Sequence, residues 1–307
     1  MAGPEIKVDA ATRARLMRRA TYASVAVATT LIAVKTVAWA MTDSVSVLSS
    51  LLDSMLDAAA SLVNLVAVRH ALTPADDEHR FGHGKAEAVA GLVQSAFIAG
   101  SALLLLSEAV HRLWTPVPVE NGIVGIAVMG VSIVLTLLLV AYQRYVVRRT
   151  DSVAIGADRL HYASDLMLNG GVALSLAASM WFSVAILDPL FGLAIGGYIL
   201  SGAWRIGRDS LDHLMDRELP DATRARIVEI AREVAEVRAV HDLRTRANGS
   251  SIHVQLHLEM DGALSLARAH DAADAVEAAI EAAFPGADVI AHMDPTGVVD
   301  RPRAATA

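Results

Sequence analysis

Long apolar runs dominate the first two thirds of the chain. Two of them, residues 20–42 and 44–68, are interrupted only by Lys35, Asp53 and Asp57, and the later runs contain no charge. A helix needs about 20 apolar residues to cross the hydrocarbon core of a bilayer. The pattern therefore predicts an all-α membrane domain of six spanning helices, in the runs 20–42, 44–68, 88–107, 121–143, 166–187 and 189–204.

Basic residues are distributed unevenly among the predicted loops. They precede the first helix and recur in the second-to-third and fourth-to-fifth loops, whereas the other loops have Arg112 as their only clear basic residue. By the positive-inside rule we expect both termini on the cytoplasmic side. The residues behind this expectation are Lys7, Arg13, Arg15, Arg18, Arg19, Arg69, Arg80, Lys85, Arg144, Arg148, Arg149 and Arg159.

A small soluble domain is predicted after about residue 217, where charges return. Helices are expected over 221–237, with Asp221 as N-cap after Pro220, and over 264–284. Strands are expected over 243–247, 251–260 and 288–292, the first two joined by a turn at Asn248-Gly249. The order α-β-β-α-β is typical of a small α+β domain with helices packed on one sheet face. The predicted organisation is a tail over 1–19, a membrane domain over 20–216, a cytoplasmic domain over 217–296 and a disordered tail over 297–307.

Composition supports a membrane protein and narrows its chemistry. Apolar residues make up 54 % of the 307 residues and charged residues 19 %, against about 25 % charged residues in soluble proteins. A net charge of −7 provides no basic footprint for nucleic acid. Cysteine is absent, so any metal site uses nitrogen and oxygen ligands. Neither an HExxH zinc-protease motif nor a GxSxG nucleophile elbow occurs, and we do not expect an enzyme.

Four potential metal ligands lie on the predicted second and fifth helices, two of them inside the second apolar run and two just before the fifth. Asp53 and Asp57 are four residues apart on the second helix, and His161 and Asp165 repeat this spacing on the fifth, so each pair shares a helix face. Each intramembrane charge costs roughly 2.5–3.5 kcal/mol on an insertion scale. A divalent cation shared between the helices would offset that cost, and four such ligands suit a tetrahedral site. A proton relay, or carboxylates that stay protonated, are the alternatives.

The loop after the second helix supplies a second candidate site. Its sequence is PADDEHRFGHGKAE, with Asp76, His79 and His83 close together. These side chains suit a metal ion, but a solvated polar turn explains them equally well. The loop does not bind a nucleotide phosphate in the P-loop manner, because Lys85 is followed by Ala86 rather than by Ser or Thr.

The histidines of the soluble domain are dispersed near strands and loop ends. Each one alone is explained by a hydrogen-bonded surface position, but as a set with one aspartate they would form one or two zinc-like centres. His253 shares a strand face with His257 and either touches such a centre or stays exposed. Placement at helix ends suffices to explain His70, His111 and His213. The candidate ligand set is His241, His257, His270, His292 and Asp294.

Several of these segments resemble the cation diffusion facilitator family, most closely its bacterial YiiP type of zinc/proton antiporter. The similarity extends from about residue 18 to residue 299 and is specific over several motifs. These are LLDSMLD on the second helix, LHYASD on the fifth, the PADDEHRFGHGKAE loop, and then HDLRTR, QLHLEM and IAHMDP.

The resemblance implies a homodimer with a transport site in each protomer, and a metallochaperone-like soluble domain that dimerises when metal binds. It further implies an inter-domain charge lock between Lys85 and Asp216. His253 departs from similar proteins, which tend to be apolar at this position. By the same resemblance the transport site is Asp53, Asp57, His161 and Asp165, the loop site is Asp76, His79 and His83, and the binuclear cytoplasmic centre is His241, His257, His270, His292 and Asp294.

The expected function is efflux of a cytoplasmic divalent cation in exchange for protons, across a bacterial inner membrane and by alternating access. Zn²⁺ is the leading cargo and regulatory ion, with Cd²⁺ and Fe²⁺ as further cargoes, and no organic cofactor is expected. A membrane-anchored metal sensor and a passive divalent-cation channel are the alternatives. The membrane-anchored sensor is disfavoured, because helices that serve only as an anchor need no buried His–Asp pair. The expected partners are a second copy of the chain, the lipid bilayer, metal ions and protons.

Overall fold

The computed structural model describes residues 8–42, 45–114, 123–182, 187–249 and 251–297. These residues form two compact units, Ala11–Leu214 and the residues from Met215 onward together with those before Ala11. The predicted order of long helices followed by α-β-β-α-β is confirmed. The elements are α1 (Ala10–Thr42), α2 (Val45–Ala71), α3 (Lys85–Trp114), α4 (Ile123–Thr150), α5 (Val153–Phe182), α6 (Leu187–Leu214), α7 (Asp221–Arg232), β1 (Ala239–Asn248), β2 (Ser251–Met260), α8 (Leu266–Ala283) and β3 (Ala287–Pro295).

Within the described residues, five helices are long and apolar enough to cross a membrane. Large apolar side chains lie on their outer surfaces: Leu104 and Leu138 are 74 % and 63 % exposed. Such a surface suits lipid rather than water. The apolar run predicted for α5 continues past the described end of that helix at Phe182. The five spans are Ala10–Met41, Ser50–Ala71, Lys85–His111, Val128–Thr150 and Pro189–Leu214.

Small residues let α3 and α6 approach closely. A methyl group added at Gly91 of α3 would lie 2.6 Å from Oγ of Ser210 on α6, and one added at Gly207 would lie 2.9 Å from Oγ of Ser95. Glycine and serine at such positions are typical of tight helix packing in membranes, where apolar side chains gain nothing by leaving lipid.

The soluble unit is a three-stranded sheet in the order β1-β2-β3 with helices on one face. β2 pairs antiparallel with β1 and parallel with β3, because α8 is a crossover connection. Along β2 the side chains alternate, so that Val254, Leu256 and Leu258 are buried against the helices. The opposite face of β2 carries His253 and His257.

Several predicted boundaries need correction. α1 begins at Ala10, so the predicted tail is helical from residue 10 to 19. α7 ends at Arg232 rather than at 237, and its N-cap is Pro220, with Asp221 as the first helical residue. β1 and β3 are longer than predicted, because pairing with β2 extends both. The predicted disordered tail over 297–307 lies outside the described residues except for Gly297, and so do residues 1–7 of the predicted N-terminal tail.

Candidate metal centre

Three of the four intramembrane candidates meet between α2 and α5. Nε2 of His161 lies 3.0 Å from Oδ1 of Asp57 and 4.0 Å from Oδ2 of Asp165. One ligand atom from each of the three residues lies within 4.8 Å of the others. The side chains are 18–34 % exposed, so they are screened from the surroundings and still open to a cavity.

Asp53 lines the same cavity without joining this group. The cavity has a volume of about 600 Å³ and is lined by Asp53, Asp57, His161 and Asp165. Asp53 lies one helical turn before Asp57 and its side chain is exposed. The structure therefore brings together three ligands and leaves the fourth candidate on the cavity wall.

Lys35 of α1 is a cavity residue to which the sequence assigned no role. Its Nζ donates to the carbonyl oxygen of Ser50 at 3.0 Å and to Oγ of Ser54 at 2.7 Å. Only 9 % of the residue is exposed, and it lines the same cavity as the three aspartates. Its signal in the sequence was a single lysine within the first apolar run.

Asp158 is a second residue whose role the sequence did not reveal. It is fully buried on α5, one turn before His161. Its Oδ2 accepts from Oγ of Ser24 at 2.5 Å and from Nε2 of Gln143 at 2.7 Å. This network joins α1, α4 and α5 beneath the cluster and fixes the helix segment that carries His161.

The loop candidates also meet. His79 Nδ1 and His83 Nε2 lie 3.3 and 3.4 Å from the two carboxylate oxygens of Asp76, and one ligand atom from each residue lies within 4.8 Å of the others. The backbone N–H of His79 donates to the carboxylate at 2.7 Å. This bond holds the pKa of Asp76 below its ordinary value, so the carboxylate is ionised and ready to bind a cation at neutral pH.

Strand pairing assembles the cytoplasmic cluster. His241 of β1 stands opposite His257 of β2, which stands opposite His292 of β3, so three imidazoles lie in a row across the sheet. The carboxylate of Asp294 lies beside this row. Its Oδ2 is 2.7 Å from Nδ1 of His257 and 3.5 Å from Nε2 of His241. Its Oδ1 is 3.3 Å from Nε2 of His292.

A β-bulge brings in one more carboxylate. The pairing of β1 with β2 shifts between His241 and Arg244, and Asp242 within the bulge has a positive φ of 44°. Its Oδ2 lies 3.7 Å from Nε2 of His257. Sequence analysis missed Asp242, because only the bulge turns its side chain towards this face.

Two other soluble-domain histidines lie apart from this row. His270 is on α8, 64 % exposed, and its Nδ1 is 3.4 Å from Oδ1 of Asp274 one turn along. The structure does not place it with the other candidates of the centre. His253 shares the sheet face with His257, as predicted from their spacing, but its Nδ1 lies 2.9 Å from Oδ2 of Asp288 on β3.

Lys85 and Asp216, the two residues of the expected charge lock, lie in different units. Each makes a polar contact with another residue. Lys85, at the start of α3, donates through Nζ to the carbonyl oxygen of Leu214 at 3.3 Å. Asp216 accepts from Nη1 of Arg246 at 3.3 Å, and its φ of 55° marks a left-handed turn after α6.

The donor sets of the three clusters fit a borderline divalent cation. Each combines imidazole nitrogen with carboxylate oxygen, which are ligands that Zn²⁺ accepts in tetrahedral geometry. Hard cations such as Mg²⁺ prefer oxygen alone. Imidazole in every cluster therefore favours Zn²⁺ and its transition-metal neighbours.

Comparison with known proteins gives matches over nearly the whole chain. Residues 21–215 match the family model described as the cation efflux transmembrane domain. Residues 219–296 match the model described as the cation efflux protein, cytoplasmic domain.

Similar proteins include cation-efflux pumps named FieF. That of Serratia proteamaculans is 50 % identical over 290 residues, covering 94 % of this chain and 96 % of the relative. That of Cronobacter sakazakii is 50 % identical over 287 residues, covering 94 % and 95 %. Among solved structures, the zinc form of the transporter CzrB matches with 33 % identity and a TM-score of 0.26, covering 28 % of this chain and 99 % of that one.

Proposed function

We propose that this chain, which belongs to the cation efflux (cation diffusion facilitator) family and is of the YiiP type, exports cytoplasmic Zn²⁺ in exchange for protons. In its coarser form the function follows from the family: the chain is a multi-pass membrane transporter for divalent cations. Zinc as the cargo, proton exchange and the roles of individual residues are the proposal.

The observation that carries the proposal is the cluster of Asp57, His161 and Asp165 beside a cavity in the membrane unit. Cd²⁺ and Fe²⁺ suit the same donors, so they remain further cargoes. We assign Asp53 as the fourth ligand, which would join by a change of side-chain rotamer on the cavity wall. A site of four ligands between two helices suits transport, because helix movement can expose it alternately to either side.

Proton exchange follows from ligand chemistry. Zinc binds neutral imidazole and ionised carboxylate, so loading the site displaces any protons that His161 and the aspartates hold. A more acidic exterior would return those protons and release the ion. Metal and protons then compete for the same atoms, and this competition is the physical basis of antiport.

The remaining predicted features extend the proposal. The loop site and the cytoplasmic row would bind regulatory Zn²⁺, with His270 reaching the row only after rearrangement or in the homodimer that we propose. The charge lock between Lys85 and Asp216 and the cytoplasmic position of both termini belong to the same proposal. The membrane is the bacterial inner membrane.

Flux into vesicles tests the transport site. Purified protein is reconstituted with a zinc-sensitive dye inside and an imposed pH gradient. Asp57→Ala and His161→Ala should abolish Zn²⁺ flux while leaving a folded dimer by gel filtration, because each removes one ligand of a site that has no spare. His213→Ala, at a half-buried histidine on α6 that contacts the backbone carbonyl of Asp209, is the matched control and should transport normally.

The same vesicles separate the proposal from its alternatives. A sensor would produce no flux under any gradient, and a passive channel would carry zinc at a rate independent of the pH gradient. Normal flux from Asp57→Ala or His161→Ala would refute the assignment of the transport site.

A further inference from the structure

The imidazole of His70 lies against the loop cluster, although its position at a helix end had needed no functional explanation. Its ring centroid is 4.5 Å from that of His83, at an interplanar angle of 68°. The His79 ring lies at the same centroid distance from His83. Three imidazoles therefore converge at the end of α2, around a side chain that is itself almost fully buried.

His83 provides an independent indication that this cluster binds a ligand. Its side chain is 4 % exposed, and its Nε2 faces Asp76. Its Nδ1 is buried and makes no hydrogen bond within the described part of the chain. A buried polar atom without a hydrogen-bond partner destabilises the fold, so the cluster would gain stability from a bound cation that reorganises these donors.

The number of ligands points to His70 as well. Asp76, His79 and His83 offer three ligand atoms, whereas a closed zinc site has four. His70 reaches the cluster through its ring face and edge rather than through a ligand atom. Because its side chain is exposed, it can rotate about its Cα–Cβ bond without displacing packed neighbours.

We infer that His70 is the fourth ligand of the loop site and that it closes a tetrahedral centre of three imidazoles and one carboxylate for a zinc-like cation. The inference rests on the proposed loop site and goes beyond it, since neither the motif nor the resemblance includes His70. Three imidazoles favour borderline cations over Mg²⁺ and Mn²⁺.

The position of His70 gives the fourth ligand a mechanical consequence. It is in the last turn of α2, the helix that carries Asp57, and His83 lies two residues before the start of α3. An ion held by both histidines would join the end of α2 to the start of α3. The loop ion would thus brace a transport helix at about 20 Å along its axis from Asp57, given 1.5 Å per residue.

The test isolates the loop site in the full-length chain. In a background of Asp57→Asn, His161→Asn, His257→Asn and Asp294→Asn, the loop should bind Zn²⁺ in calorimetry and give Co²⁺ the intense visible absorption of tetrahedral coordination. His70→Ala and His70→Phe should each weaken Zn²⁺ binding by at least about tenfold and abolish the tetrahedral Co²⁺ spectrum. His213→Ala is the matched control and should change neither.

His70→Phe separates coordination from packing, because it keeps an aromatic ring against His83 and has no ligand atom. Wild-type affinity and an unchanged Co²⁺ spectrum in this variant would overturn the inference while leaving the three-residue site intact. A background protein that binds no zinc, or binds it equally after Asp76→Ala, would overturn the loop site and the fourth ligand together. Should the background fail to fold, His70→Phe in the otherwise unchanged chain should weaken one Zn²⁺ per protomer by the same factor.

Discussion

Lys35 places an ammonium group in the cavity that carries the transport carboxylates. It is held by Ser50 and Ser54 and couples electrostatically to Asp57, Asp53 and Asp165. When no metal is bound, this cation offsets part of the charge of three aspartates. When a divalent ion arrives, the same charge repels it, so Lys35 should weaken binding and make release easier.

Replacing Lys35 tests this balance. Lys35→Met should lower the Kd for Zn²⁺ by roughly 5- to 30-fold, which corresponds to about 1–2 kcal/mol of repulsion removed, and should slow turnover in vesicles because release becomes harder. Lys35→Arg keeps the charge and is the control. Calorimetry that finds the same Kd in Lys35→Met and wild type would contradict an electrostatic role.

The sequence predicts some residues of the transport cluster better than others. Asp57 stands out because charged groups are rare in apolar runs, and a spacing of four residues assigns a face to each of the pairs Asp53–Asp57 and His161–Asp165. Asp158 could not be found this way. It lies beside Arg159, like a loop residue, and its burial depends on Ser24 and Gln143 from other helices.

At the scale of secondary structure, the register of three strands creates the cytoplasmic row. The unit from Met215 onward has its own buried core, so residues 216–303 should fold alone and gain thermal stability from zinc. At 100 times the Kd the gain should be about 2.7 kcal/mol. His257→Ala with Asp294→Ala should remove most of this gain, since both residues lie at the middle of the row.

His253→Ala is the matched control for this measurement, because it removes a histidine from the same face of β2 that pairs instead with Asp288. It should leave the zinc-induced shift unchanged. A melting curve of the unsubstituted domain that does not respond to zinc would reject a regulatory centre and leave these residues a structural role.

The elements of this unit could be predicted and their register could not. Alternation along β2 indicates a strand with one buried face, but it does not say which residue of β1 stands opposite His257. The bulge at Asp242 and the parallel pairing with β3 determine which residues stand opposite His257. The sequence also grouped His270 with this row, because it does not show how far α8 lies from the strands. In the structure His270 lies on α8, apart from the row.

For the whole molecule, proton exchange requires that zinc binding release protons. Binding should release at least one proton per ion, and zinc affinity should fall steeply from about pH 7 to 5.5, where histidines titrate. At the loop, the lowered pKa of Asp76 keeps this carboxylate ionised across that range. Calorimetry in buffers of different ionisation enthalpy measures the protons released.

Variants that lack the loop ligands or the cytoplasmic ligands serve as controls, because they assign the released protons to one site. Observed heats that do not depend on the buffer would mean that no net proton moves, and the antiport mechanism would then be wrong.

Small residues bring α3 and α6 close together, so we expect this pair to move as one body. α2 and α5 contact each other far less extensively, and Asp57 and His161 are a principal link between them. The proposed cargo would thus serve as a packing element of the transporter, filling a sparsely packed helix boundary. Binding of the ion would stiffen that boundary and its release would loosen it. The distance between α2 and α5 would therefore indicate whether the ion is bound.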